Sequence, residues 1–155
     1  MKFSTREDIE APIEHVWAQI SNFDAFERQA LRRGAEIARS DSQGAPGLGS
    51  EWEVKFVFRG KKREVEARIS VFDRPNTMRM NSRSGGLDGE VLVELVALSP
   101  RRTRLQLTMD LHPRNLSARL LVQSLRFAKA NLSKRFSDRV YDFAQDVEGR
   151  YRNAG

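Results

Sequence analysis

The chain of 155 residues contains no cysteine. Disulfides, thiol nucleophiles, zinc–thiolate sites and iron–sulfur ligation are therefore excluded together, and a reducing compartment suits such a chain. Histidine is nearly as scarce. His15 and His112 stand far apart, and without cysteine they do not assemble a zinc site, so no metal and no cofactor are expected. No apolar run approaches the ~20 residues of a membrane span, and the first seven residues lack the apolar stretch of a signal peptide, which reads as a soluble cytoplasmic protein. No serine occupies a nucleophile-elbow pattern. The run Gly44-Ala45-Pro46-Gly47-Leu48-Gly49 neither opens a helix nor contains lysine, so it is a poor phosphate loop. Repeats, low-complexity tracts and domain linkers are absent as well. A chain this long buries a core without staples, and residues 1–155 read as one domain.

Proline is missing from residues 115–152 too, and the one glycine there, Gly149, comes near the end. Leu121, Leu125, Ala128, Leu132, Phe136, Val140, Phe143, Val147 and Tyr151 recur every three or four residues. That spacing predicts a single amphipathic α-helix, roughly 55 Å long if unbroken. Its charges divide. Arg114, Arg119, Arg126, Lys129, Lys134, Arg135 and Arg139 face only Asp138 in the first part, whereas Asp142, Asp146 and Glu148 lie in the last part. Cations early in a helix gain nothing from the macrodipole. Acidic neighbours, an anionic partner or plain solvent would each account for them. Overall the charge is modest: 27 lysines and arginines against 21 acidic residues, net +6, which by itself describes a solvated surface.

What precedes this helix alternates. Phe3, Thr5, Glu7 and Ile9 share one face of a first strand, and Ala11-Pro12 ends it and opens a helix carrying Ile13, Val16, Trp17 and Ile20. Ser21-Asn22 starts a second short helix that runs out by Gly34. A short strand is expected within residues 35–41, followed by a turn-rich connector over residues 42–50. Trp52, Val54, Phe56 and Phe58, a Gly60-Lys61 turn, and Val65, Ala67, Ile69 and Val71 make a hairpin. Three further strands carry Met78 and Met80, then Val91, Val93 and Leu95, then Leu105, Leu107, Met109 and Leu111. The prediction is an α+β fold with a curved antiparallel sheet of about seven strands. Its apolar face must be covered, and the long C-terminal helix is the one element large enough, leaving space for a small molecule between them.

Ile9-Glu10-Ala11-Pro12-Ile13-Glu14-His15-Val16-Trp17, followed by Ile20-Ser21-Asn22-Phe23-Asp24-Ala25-Phe26, resembles the opening of the SRPBCC or START-like helix-grip superfamily. That group includes polyketide cyclase/dehydrase-like proteins, lipid-transfer domains and plant pathogenesis-related ligand binders. Gly47-Leu48-Gly49-Ser50-Glu51-Trp52 resembles the glycine-bearing approach to its third strand. The resemblance covers the whole chain and implies a helix-grip fold: Ala11-Pro12 starts the first helix, Val16 and Trp17 pack it inward, and Phe23 and Phe26 anchor the second. It carries no catalytic motif, so catalytic residues stay unknown and enzymatic activity open.

Shared strand parity and the helix stripe give the candidate lining of the cavity: Glu7, Trp52, Val54, Phe56, Val65, Ile69, Met78, Met80, Ser82, Val93, Leu107, Met109, Leu125, Leu132 and Phe136. Methionines make adaptable lining, although ordinary core packing explains them and the aromatic residues equally well. Inside an apolar cavity Glu7 would hold a ligand hydroxyl or transfer a proton; at a strand edge it would pair with an arginine. His15, beside Glu14, is expected at the surface, and His112 at a capping or exposed position.

Three functions compete. The first is binding of a small hydrophobic or amphipathic molecule, lipids included. The second is a cyclase/dehydratase-like enzyme using Glu7 or His112 in the same cavity. The third is anionic membrane or nucleic-acid binding through the basic first half of the last helix. The partner expected is a small hydrophobic ligand. Transient membrane contact stays open, no specific nucleic acid is expected because few aromatics interleave the cations, and the oligomeric state is unknown.

Overall fold

A computed structural model describes residues 1–40 and 45–154, so residues 42–44 of the turn-rich connector lie outside the described residues. In chain order the elements are β1 (Lys2–Ile9), α1 (Ile13–Ile20), α2 (Phe23–Arg32), β2 (Glu36–Arg39), β3 (Glu51–Phe58), β4 (Lys61–Asp73), β5 (Thr77–Ser84), β6 (Leu87–Ser99), β7 (Arg102–Pro113), α3 (Leu116–Phe127) and α4 (Lys129–Ala154). The strands form one seven-stranded sheet in the order β1-β7-β6-β5-β4-β3-β2, with every neighbouring pair antiparallel. Register shifts between Ile69 and Val71 and between Ala97 and Ser99 add local twist to the two longest strands.

The register carries each apolar set across the sheet. Phe3 sits opposite Met109, Met109 opposite Val91, Val91 opposite Met80, and Met80 opposite Ile69. Because side chains alternate along a strand, this row and its neighbours two residues away all point to the face that the helices cover. The β3–β4 turn is Arg59-Gly60, one residue earlier than expected, with Phe58 paired to Lys61. Both turn residues have positive φ, 52° and 76°, as a two-residue turn that follows the twist of its strands requires.

α4 runs along β1 in the same direction. The Phe3 and Phe136 rings are 6.1 Å apart at one end, and at the other the Glu10 amide donates to Glu148 Oε1 at 2.9 Å. α1 closes this second end. Pro12 precedes its first turn, Val16, Trp17 and Ile20 are buried, and Thr103 Oγ1 donates to the Ala11 carbonyl at 2.8 Å. His15 is not a surface residue: its Nε2 lies 3.0 Å from the Val147 carbonyl, and its ring is 5.2 Å from Tyr151. In α2, Phe23 is buried against Trp52 at 5.1 Å, while Phe26 stays largely exposed and meets Phe143 at 6.1 Å. The closed core therefore comprises Ile9, Val16, Trp17, Trp52, Ile69, Met78, Leu95, Leu105, Val140, Ala144 and Val147, among others.

One expectation fails. The long C-terminal helix is broken at Ala128, whose φ of −104° and ψ of 13° leave the helical region and whose amide reaches back to Leu125 at 3.0 Å. Alanine is the strongest helix former, so nothing local demands the break. The two halves pack on different parts of the sheet, α4 on β1 and α3 on β7. Asn115 caps α3 by accepting from the Ala118 amide at 2.8 Å. The single stripe consequently splits: α3 buries Ala118 and Val122, whereas α4 buries Val140, Ala144 and Val147.

On the outer face, Arg104 grips the Asp8 carboxylate directly across the β1–β7 register, at 2.8 Å through Nε and 3.2 Å through Nη2. These hydrogen bonds, helped by the charges of Arg104, Arg102 and Arg6, hold the Asp8 carboxyl below the usual carboxylate range despite an opposing desolvation effect. A lowered folded-state value contributes stability that is present above the unfolded value of about 3.9 and is lost as pH falls through the folded value. Urea denaturation of the protein and of Asp8→Asn should therefore converge in acid and separate above about pH 4. Because the pair is only half-buried, added salt should narrow the gap.

Candidate functional site

The face of the sheet turned toward the helices is not uniformly sealed. Beside α1 and the C-terminal half of α4, Ile9, Ile69, Leu95, Leu105 and Val147 are buried completely or nearly so. Toward α3 the same rows become accessible. Val54, Phe56, Val65, Met80, Val91, Val93, Leu107, Met109 and Leu111 on the strands, and Leu121, Leu125, Leu132 and Phe136 on the helices, are each only half-buried. Partial exposure on a face turned toward another layer marks incomplete cover there, although Val54, Met80, Val93, Leu107 and Phe136 also pack against the closed core. Apolar walls of this kind suit an apolar ligand.

Beside α3 the surface itself is hollowed. A depression of about 540 Å³ is lined by Lys61, Lys62, Arg63 and Glu64 of β4, by residues 84–87 between β5 and β6, and by Asn115, Ser117, Ala118 and Leu121. Its size falls in the range of small-molecule sites. Gly86 matters to its shape: a Cβ there would collide with the Asn115 side chain, and the Gly86 carbonyl accepts from the Arg114 amide at 2.6 Å. The β5–β6 turn thus fixes the start of α3. Arg63 shares the register row of Phe56 and is half-buried at the mouth, and its Nε has no hydrogen-bond partner among the described residues. Sequence reasoning missed it because an arginine in an alternating strand reads as a solvent-facing position.

A second depression, about 560 Å³, lies on the outer face, where Glu51, Arg68, Arg83 and Asp88 alternate with the inward row of Trp52, Ala67, Ser82 and Gly89. Several of its charges pair with one another, Glu51 with Arg68 at 3.8 Å and Asp88 with Arg83 at 3.7 Å and with Arg114. These pairs, exposed apart from the half-buried Asp88, form no apolar site.

Of the residues singled out from the sequence, Trp52, Ile69 and Met78 lie in the closed core, and Trp52 Nε1 donates to Glu27 Oε1 at 2.7 Å. Val54, Phe56, Val65, Met80, Ser82, Val93, Leu107, Met109, Leu125, Leu132 and Phe136 are half-buried. Glu7 lies on the edge strand opposite buried Leu105. It is half-buried, and no hydrogen bond or ion pair engages it among the described residues, so the arginine partner expected at an edge is not there. His112 is exposed, 3.2 Å from the Asp110 carboxylate, at a position paired with Asp88 on the outer face. Among the described residues no cluster of three or more potential metal ligands occurs, and no helix is long and apolar enough to cross a membrane.

Core and space differ in what a truncation costs. Ile69→Ala, in the closed half, should lower stability by roughly 2–5 kcal/mol in urea denaturation. Met109→Ala, on the same row but facing the space, should cost less than about half as much, because fewer contacts are lost and no new sealed void is made.

The sequence profile of a family described as polyketide cyclase/dehydrase and lipid transport matches residues 1–148. No curated protein matches the chain by sequence. Several solved structures share the fold at low identity. The ZhuI aromatase/cyclase of Streptomyces sp. R1128 aligns with a TM-score of 0.68 at 14% identity, covering 100% of this chain and 98% of that one. Norcoclaurine synthase of Thalictrum flavum, solved with dopamine and hydroxybenzaldehyde, gives 0.62 at 14%, covering 95% and 86%. A protein of Thermus thermophilus gives 0.62 at 18%, covering 100% and 99%. At these identities the likeness is one of fold.

Proposed function

The chain belongs to the polyketide cyclase/dehydrase and lipid transport family, and from that premise we propose that it binds a small hydrophobic or amphipathic molecule between the sheet and its two C-terminal helices. The observation that carries this reading is the half-burial of apolar residues on the inward face next to α3, where a filled core would have sealed them. Transfer of an apolar molecule into such a space removes its surface from water, and Met80 and Met109 adapt their shape to what enters. At the mouth Arg63 supplies a cation for the polar end of an amphipathic ligand.

Thermal-shift measurements with fatty acids, quinones and aromatic polyketides, together with native mass spectrometry of the freshly purified protein, test the reading. A binder should raise Tm in a concentration-dependent way, following the logarithmic dependence of linkage. Val93→Trp, which fills the space, should remove the shift while leaving the protein folded. If no class shifts Tm and native spectra show only the bare chain, the ligand reading is wrong.

A second reading, catalysis of a cyclisation or dehydration, has one observation of its own in the unengaged, half-buried Glu7 carboxylate. A carboxylate that no arginine neutralises is free to accept a proton from a bound carbon acid or hydroxyl. Positioning by the walls would supply much of the acceleration. His112 is turned outward and takes no part. Turnover of a reactive poly-β-ketone should fall about 100-fold or more in Glu7→Gln with the ligand-induced Tm shift retained. Equal turnover in the two proteins would dismiss Glu7 as the proton acceptor.

A further inference from the structure

α3 is covered on one side only. Ala118 and Val122 are buried, but Leu116 is 72% exposed, Leu120 58% and Phe127 95%. On a helix of 100° per residue these three project within about 40° of one another, so they form one outward apolar stripe. Scattered exposed apolar residues need no explanation, whereas three large ones on one side of a helix do, even with the polar Gln123 and Ser124 between Leu120 and Phe127. Both flanks of this stripe are basic. Arg119 and Arg126 lie on one side, and no ion pair engages either among the described residues. On the other side lies Ser124, to which Arg59 Nη1 donates at 3.5 Å, bringing the tip of the β3–β4 hairpin alongside. That tip contributes exposed Val57 and Phe58, the Arg59 guanidinium over the Phe58 ring at 5.4 Å, and exposed Lys61 and Lys62. No acidic residue occurs from residue 111 to residue 137.

We propose that this face, the outward stripe of α3 together with the β3–β4 hairpin tip, docks on an anionic lipid bilayer. The arrangement is that of an interfacial helix: leucine and phenylalanine enter the acyl boundary, while arginines on both flanks extend their aliphatic stems along it and keep their charge at headgroup level. The cations attract the negative surface potential and the apolar residues hold the protein there, two signals that are each weak alone. The geometry favours a bilayer over nucleic acid because the outward side chains are aliphatic or terminal, with no series of aromatic faces for stacking bases. It favours a bilayer over a second copy of the chain because a self-complementary patch would bring its unpaired arginines together. The mouth lined by Lys61, Arg63, Ala118 and Leu121 adjoins the same face, so docking would set the opening against the lipid. The docking itself does not depend on what the internal space holds.

Vesicle co-sedimentation of the full chain tests it, using phosphatidylcholine alone and phosphatidylcholine with about 30% phosphatidylglycerol. Binding should be confined to the anionic vesicles and should weaken strongly in about 0.5 M salt. Arg119→Glu/Arg126→Glu and, separately, Leu120→Ser/Phe127→Ser should each lower the partition coefficient about tenfold or more. All four positions are exposed, so unchanged circular dichroism is expected. Phe127→Trp should show added emission quenched by shallow brominated lipid. No binding at low salt, equal binding to neutral vesicles, or undiminished binding of Leu120→Ser/Phe127→Ser would overturn the proposal. So would a concentration-dependent dimer that the same double substitution dissociates, since the stripe would then be a subunit contact. Val93→Trp should bind the vesicles like the unaltered protein, which separates this result from any outcome for the ligand.

Discussion

The Glu148 carboxylate holds the Glu10 amide at the point where β1 ends, and the neighbouring contacts of Thr103 with the Ala11 carbonyl and His15 with the Val147 carbonyl tie β7, α1 and α4 into one corner. A backbone amide left unpaired in a buried position costs as much as a lost hydrogen bond, so these links fix the direction in which α4 leaves the corner. From there α4 follows β1 until Phe136 meets Phe3. The other end of the molecule has no such corner. α3 is held by its Asn115 cap and by the β5–β6 turn at Gly86, which leaves the sheet beneath it less completely covered.

The molecule consequently has two unlike ends built from the same strands. Inward rows that begin in closely packed leucine and isoleucine continue into half-buried valine, methionine and phenylalanine. The seven-stranded sheet faces a helical segment that is broken at Ala128 and presents its first half at a different place. The depression, Arg63 and the basic apolar stripe all lie toward that first half. Family membership agrees with a ligand-holding architecture and leaves the identity of the ligand to experiment.

Much of this was legible beforehand for a simple reason. Alternation of period two is stamped on each strand by one solvated and one covered face, so the strand sequence, the two short helices and a sheet covered by the C-terminal helix could be read directly, and the family resemblance implied the helix-grip fold. Burial along a face has no such signature. Ile69 and Met80 stand opposite each other in the register, yet one is sealed and the other half-open. His15 looked like a surface residue because its partner, the Val147 carbonyl, is 132 positions away. Arg63 escaped notice for the converse reason: it shares strand parity with Val65 and Ile69, yet an arginine reads as solvent-facing. The basic residues early in the last helix, which composition left unexplained, acquire a context only once the hairpin tip is seen beside Ser124.

By itself the sequence determined which apolar strand residues face inward, the antiparallel order of elements and the amphipathicity of the C-terminal segment, because each follows from local periodicity and turn chemistry. Only the tertiary structure decided where the long helix divides, which inward residues are sealed and which apolar residues of α3 remain outside. These depend on the distance between layers and on contacts across more than a hundred residues, and a helix-forming stretch such as the one around Ala128 carries no local mark of the surface it must follow.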